Sequence, residues 1–347
     1  MKQQAHLFLA ASDELGLLVN NKANELYAAL LQMDKSTVSA RDEYHDYFRN
    51  HHLGNRLFFS IQNSAHILYD AILLSGKPVG SITAVDYGAG LGTLFMLGGM
   101  LGFKRFSYND YFPEWKNIAV AVCKQLGIPV QDFITGGVKE VTAFAEAQHF
   151  TYDIVVSRNV IEHIYNLPEF YSSLYQHNPA AVIYSTTTAN YHNPVMRWYH
   201  IYIHKKTEKQ YYRQQRIDAI QKLQPQLGQA AVQQLAHITR GRAAADFAEA
   251  VNNFVQQKPI QPVPFLRSNV CDCTTGVWCE HLLTQKEYET IIHTAGYKMN
   301  YTAGYWDTHY ASGIKNIAAK LLNRKIHLLG NKNGIFVSPF VNIVAYN

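Results

Sequence analysis

Residues 84–94 read Ala84-Val85-Asp86-Tyr87-Gly88-Ala89-Gly90-Leu91-Gly92-Thr93-Leu94, and the reading of this stretch decides the fold. An apolar β-type approach, Ile82 to Val85, ends in an acid and three glycines two apart. The apolar run Leu94 to Leu101 follows and reads as a helix. Strand, glycine turn and helix form the geometry in which backbone N–H groups and a helix N-terminus face an anionic group. A dinucleotide fingerprint, Gly-x-Gly-x-x-Gly, would require its third glycine at position 93, which is Thr93.

Two further segments extend the reading. Phe103 to Tyr108 reads as a second strand leading to Asp110, about 20 residues on, where an acid at a strand tip can bind both ribose hydroxyls. Tyr152 to Ser157 reads as another buried strand and leads into Arg158-Asn159-Val160-Ile161-Glu162-His163-Ile164. Gly-x-Gly-x-Gly behind an acid, the later acid and the post-strand segment together resemble class I S-adenosylmethionine (SAM) methyltransferases, in the same order over residues 82–188. The resemblance implies a seven-stranded Rossmann-like α/β sheet, mostly parallel with one antiparallel late strand. It implies SAM as the cofactor, held by Asp86, Gly88, Ala89, Gly90, Gly92, Asp110, Tyr111 and Asn159. Family members often carry an acid at the tip of the third strand for the adenine amino group. Here that tip is Gly136-Gly137, with Asp132 the nearest acid, so the adenine contact stays unassigned.

With 347 residues, 48% hydrophobic and 13% aromatic, the chain can bury a large core and exceeds one minimal domain. A net charge of +5 and a pI near 8.8 permit a nucleic-acid partner without arguing for one. Met1 to Val19 lacks a basic leader followed by an apolar core, and no 18-residue apolar run occurs, so neither a signal peptide nor a membrane span is expected. Four cysteines without an export signal then suit reduced thiols in the cytoplasm.

Four regions follow. Residues 1–80 read as helical, with Leu15 to Met33 and Leu57 to Leu74 at helical spacing and a His-, Tyr- and Arg-rich segment, 42–53, as a candidate lid. Residues 81–188 form the cofactor half, with strands near 82–86, 104–108, 131–134, 152–157 and 181–186. Residues 189–260 read as a helical insertion after the fifth strand. It comprises an aromatic and histidine-rich stretch to His204, a basic helix from Lys205 to Leu223, and a second helical stretch to Val255. The family commonly places substrate-binding elements here, which puts the acceptor pocket between this insertion and the N-terminal helices. Residues 261–347 complete the sheet, with a capped helix from Thr284 to Ala295, strands at 297–306 and 335–346, and an amphipathic stretch, Ile314 to Leu329, between them.

Methyl transfer from a sulfonium is a direct displacement, so the protein supplies alignment and, for a hydroxyl acceptor, a base. His163, paired with Glu162 at the carboxyl edge of the sheet, is the candidate catalytic base. The spelling Asn159-x-x-Glu162-His163 is similar to the Glu-x-x-Glu-His of metal-dependent small-RNA and quinone-ring O-methyltransferases. Its first acid is missing here, and the later histidine would be His192, His200 or His204. Cys271, Cys273, Cys279 and His281 offer the ligand types of a structural zinc site at an unusual spacing, and small buried side chains in a loop are the preferred account. His192, Trp198 and Trp306 are candidate acceptor contacts; Trp278, Tyr305, Asp307 and His309 form a further polar-aromatic group near the last residue of that set. The expected activity is methyl transfer from SAM to oxygen of a small-molecule or saccharide acceptor. An RNA or nitrogen-directed enzyme, using Lys205, Lys206, Lys209, Arg213 and Arg216, is the alternative, and a SAM-binding scaffold without turnover is the rival of another class.

Overall fold

The computed structural model describes residues 6–34, 56–260, 270–274 and 279–347. The candidate lid at 42–53 and Trp278 lie outside these residues. Seven strands, β1 (Thr83–Tyr87), β2 (Arg105–Asp110), β3 (Asp132–Thr135), β4 (Ile154–Arg158), β5 (Val182–Thr187), β6 (Lys298–Ala303) and β7 (Val341–Tyr346), form one sheet in the order β3-β2-β1-β4-β5-β7-β6. The first five are parallel, and β7 runs antiparallel to both β5 and β6.

Strand residues alternate between two apolar layers. Ala84, Ile154, Val156, Val182 and Tyr184 point to one face, where α1 (Glu14–Gln32), α2 (Leu57–Ser75), α3 (Thr93–Met100) and α4 (Pro113–Leu126) pack. Val85, Val155 and Ile183 point to the other, against α5 (Val138–Ala147), α6 (Leu167–His177) and α11 (Gln285–Ala295). The N-terminal helices therefore belong to the sheet's own core: Val19, Ala23, Leu26, Ile61, Ala65 and Leu68 are almost fully buried in it. Local signals set the helix ends. Asp13 accepts the Gly16 N–H at 2.6 Å to start α1, and Gly76 closes α2 in the left-handed conformation.

Helices α7 (Pro194–Thr207), α8 (Arg213–Leu223), α9 (Gln229–Ile238) and α10 (Ala244–Val255) follow β5. The basic helix begins eleven residues before Lys205, because Asn193 caps the N–H groups of Val195 and Met196 and Pro194 takes the first helical position. A π-helical turn, Glu208–Tyr212, joins α7 to α8. The second helical stretch is broken into α9 and α10, with Gly241 at φ 78° between them. Ile217, Ile220, Val232, Leu235, Phe247 and Val251 make a separate small core that takes in Cys273.

The last strand is shorter than the expected 335–346. Asn190 donates to the carbonyls of Ile335 and Ser338, each at 2.8 Å, which holds that approach as a turn. The helix before it, α12 (Gly313–Gly334), covers the expected amphipathic stretch.

Candidate active site

At the carboxyl end of β1 the chain turns twice through positive φ. Gly88 has φ 67°, and a Cβ there would fall 2.5 Å from Val160 Cγ1 in the loop after β4. Gly90 has φ 52° and donates its N–H to Asp110 at 2.9 Å. The Ala89 N–H meets the Asn109 carbonyl at 2.8 Å, and the Tyr108 hydroxyl donates to the Gly90 carbonyl at 3.0 Å. The glycine turn is thus bonded to the tip of β2. Asp110 also accepts the Phe112 N–H at 3.0 Å; burial pushes its carboxyl upward, and the N–H bonds from Phe112, Gly90 and Tyr111 oppose that. Asp86 is buried deeper. Desolvation pushes it well above the ordinary carboxyl range, the Arg158 charge pulls it back, and its Oδ2 has no hydrogen-bond partner among the described residues.

These groups wall a cavity of 420 Å³ at the edge where β1 and β4 part. Strand order reverses direction there, so the flanking loops diverge and leave a crevice. Asp86, Gly88, Ala89, Gly90 and Gly92 line it from the turn, Asp110 and Tyr111 from β2, and Asn159 and His163 from the segment after β4. Asn159 takes φ 55°, with its N–H on the Thr186 carbonyl at 2.8 Å and its side-chain oxygen on the Thr188 N–H at 3.2 Å.

Among the lining residues not singled out from the sequence are Trp115 and Arg158. Trp115, in the first turn of α4, lines the cavity with Tyr111 and Phe112. Arg158 ends β4; its guanidinium donates to the Ser60 carbonyl of α2 at 2.8 Å and approaches Ser64 Oγ and Thr93 Oγ1, each at 3.4 Å. Its partners lie 65 to 98 residues away, which no local pattern reveals. At the tip of β3, Gly136 and Gly137 line the cavity, and the acid found near them is Glu140, which accepts the Gly137 N–H at 2.7 Å at the start of α5. Asp132 is engaged at the far end of β3, in a two-point pair with Arg105 at 2.6 and 2.8 Å.

His163 sits on a single 3-10 turn, Ile161–His163. Its Nδ1 lies 2.8 Å from the Cys279 carbonyl and 3.5 Å from Glu280 Oε1. A carbonyl only accepts, so Nδ1 carries the proton and Nε2 is the basic nitrogen. Glu162 does not line the cavity. Its carboxyl is fully buried, raised by desolvation, and bonded to Thr187. The spelling Asn159-x-x-Glu162-His163 therefore brings no ligand set together.

The other candidates are spread over the molecule. Cys271 and Cys279 face each other across an isolated bridge with sulfurs 3.1 Å apart. Cys273 turns into the insertion's own core, and His281 bonds the Ile164 carbonyl through Nε2 at 2.9 Å, so the four do not converge on one point. His192 accepts the Gln285 N–H at 3.1 Å and packs on Tyr301 and Phe336. Trp306 donates to the Val337 carbonyl at 2.9 Å, while Trp198 is 67% exposed and stacks on Tyr202. None of the three lines the cavity, because their rings are committed to the sheet's end or to the outer face of α7. Tyr305 and His309 likewise pack on α2, against Phe59 and Phe58. Arg216, one of the basic residues of the alternative RNA reading, is buried against Glu208 and donates to the Ala236 carbonyl at 3.0 Å.

A seven-stranded, mostly parallel sheet with a glycine turn after the first strand and one antiparallel late strand is the arrangement the sequence resemblance implied, and the structure places that strand, β7, between β5 and β6. This is a Rossmann-like α/β sheet of seven strands. No family profile and no curated protein sequence matches the chain. Among solved structures, an S-adenosylmethionine-dependent methyltransferase from Mesorhizobium loti is similar at 10% identity and a TM-score of 0.39, covering 81% of this chain and 98% of that one. The magnesium protoporphyrin IX methyltransferase from Synechocystis, solved with bound SAH, is similar at 10% identity and a TM-score of 0.39, over 88% and 93%. A putative sarcosine dimethylglycine methyltransferase from Galdieria sulphuraria is similar at 16% identity and a TM-score of 0.31; the chain spans less than half of that protein's length, 46%.

Proposed function

We propose that this chain is a SAM-dependent methyltransferase acting on oxygen of a small-molecule or saccharide acceptor. The observation that carries the reading is the Asp110 carboxylate, held at a strand tip by the Gly90 and Phe112 N–H groups and facing a crevice large enough for a ligand. Asp110 would accept the ribose hydroxyls, and the glycine turn leaves room for the backbone to approach the cofactor closely. Gly136 to Val138, Tyr111 and Trp115 supply backbone and aromatic surface for a flat base. Arg158, on the same wall, is the cation for the amino-acid carboxylate.

The bound sulfonium supplies the methyl electrophile. His163 accepts the proton of the acceptor hydroxyl through Nε2 while the Cys279 carbonyl fixes its tautomer. An RNA acceptor is disfavoured by the burial of Arg216, which removes one charge from the supposed basic face.

The test is calorimetric titration of SAM and of its demethylated product into the full chain, with Asp110→Ala as the control. Micromolar binding of both that vanishes in the variant supports the reading. A folded wild-type protein that binds neither ligand overturns it.

A further inference from the structure

One cluster of ligand-type side chains stands outside the groups assigned to the cofactor. His200 and His204 lie four residues apart on α7, so both rings project from one face of the helix. Their ring centroids are 5.7 Å apart. Glu280 comes from the far segment, and its Oε2 lies 3.2 Å from His204 Nε2. One ligand atom from each of the three falls within 4.8 Å of the others, and among the described residues this is the only such grouping of His, Cys, Asp and Glu.

The surroundings prepare these groups to ligate. His200 Nε2 is 2.9 Å from the Thr188 carbonyl. That oxygen only accepts, so Nε2 carries the proton and the lone pair is on Nδ1, the arrangement in which metal-bound imidazoles are held by a backbone carbonyl. Glu280 is fixed by backbone bonds on and around it: its own N–H to Val270 at 3.0 Å, and the His281 N–H to Glu162 at 2.8 Å. The carboxylate therefore needs no search to meet the histidines.

We propose that His200, His204 and Glu280 bind a zinc-type divalent ion. Two imidazoles and one carboxylate form a three-ligand set that leaves a tetrahedral ion one further position, and imidazole favours zinc over magnesium. The site uses no thiol and neither Asn159 nor Glu162; it takes up His200 and His204, the candidate later histidines of the Asn159-x-x-Glu162-His163 reading, and joins them to Glu280 instead. It adjoins the cavity through Glu280, whose other oxygen is 3.5 Å from His163 Nδ1. The ion would lie behind the candidate base and tie α7 to Glu280.

The site is tested without reference to methyl transfer. The full chain is stripped with a chelator, and Zn²⁺ is titrated by calorimetry against a competing chelator, with Mg²⁺ as the contrast. The expected result is uptake of one Zn²⁺ per chain and none of Mg²⁺. Glu280→Gln and His204→Ala, each verified as folded by circular dichroism, should weaken uptake at least about tenfold, the effect that outer-shell partners alone can have. Cys271→Ser and Cys273→Ser should leave it unchanged. Cobalt substitution should give a visible spectrum without thiolate charge transfer. Absent stoichiometric uptake, uptake indifferent to Glu280→Gln and His204→Ala, or a thiolate band that Cys271→Ser abolishes would each overturn the proposal.

Discussion

Single residues decide how closely the loops around the cavity can approach. Gly88 combines a left-handed φ with a neighbour 2.5 Å from where a Cβ would sit. Gly88→Ala should lower unfolding stability by about 1–3 kcal/mol in urea titration, the usual magnitude of such backbone strain, and should weaken SAM binding with it. His66 reports on burial in a different way. Packed beside Tyr305, it is pushed by desolvation from 6.5 down to about 4. Between those values the unfolded chain holds a proton that the native ring refuses, so stability falls as pH drops through the window. His66→Phe should flatten the wild-type slope by up to about 1.4 kcal/mol per pH unit, read from urea midpoints at successive pH values between neutral and mildly acid. Residues placed in the cavity wall by local spacing were legible in the sequence: Gly88 and Gly90 in the turn after β1 and Asp110 at the end of β2. Arg158 and Glu280 were not, because each gains its meaning from partners brought near only by the fold.

At the scale of elements, caps and ion pairs set where helices start and how the insertion holds together. Thr284 and Glu287 form a reciprocal box at the start of α11, with the Thr284 N–H on Glu287 at 2.7 Å and the Glu287 N–H on Thr284 Oγ1 at 3.3 Å. Thr284→Ala should cost about 1 kcal/mol of stability in chemical denaturation. This box was plain in the sequence because it spans four residues. The role of Arg216 was not, since a charge on a helix gives no sign of which side faces in. It is buried against Glu208 across the π-helical turn. Arg216→Ala strands a largely buried carboxylate and should destabilise the chain by about 3–5 kcal/mol, whereas the double change Arg216→Met with Glu208→Leu should recover most of that loss in thermal melts.

For the molecule as a whole, the sheet and the cavity are one object, since Asp110 and the glycine turn are simultaneously strand ends and walls. Ligand binding should therefore report on global stability. SAM at about 100 times its dissociation constant should add about 2.7 kcal/mol to unfolding, and Asp110→Ala should abolish that gain in a melting experiment. Alternating apolar strands and helix spacing made the order of elements readable in advance. The acceptor-side residues were unreadable, because aromatic rings suit a core as well as a pocket, and His192, Trp198 and Trp306 turned elsewhere.

The inserted position of β7 carries a consequence for synthesis. β6 emerges from the ribosome first, yet its strand neighbour in the sheet is β7, and β7 in turn leans on β5, made more than 150 residues earlier. Until residues 341–346 appear, the edge of β5 stays open and β6 has no strand to pair with. Released chains truncated just after β6 should accordingly be protease-sensitive at 298–303 while the first five strands are already protected. Closing so distant a pair makes the final step of assembly slow, and that interval is when a holding chaperone would find an exposed strand edge to bind.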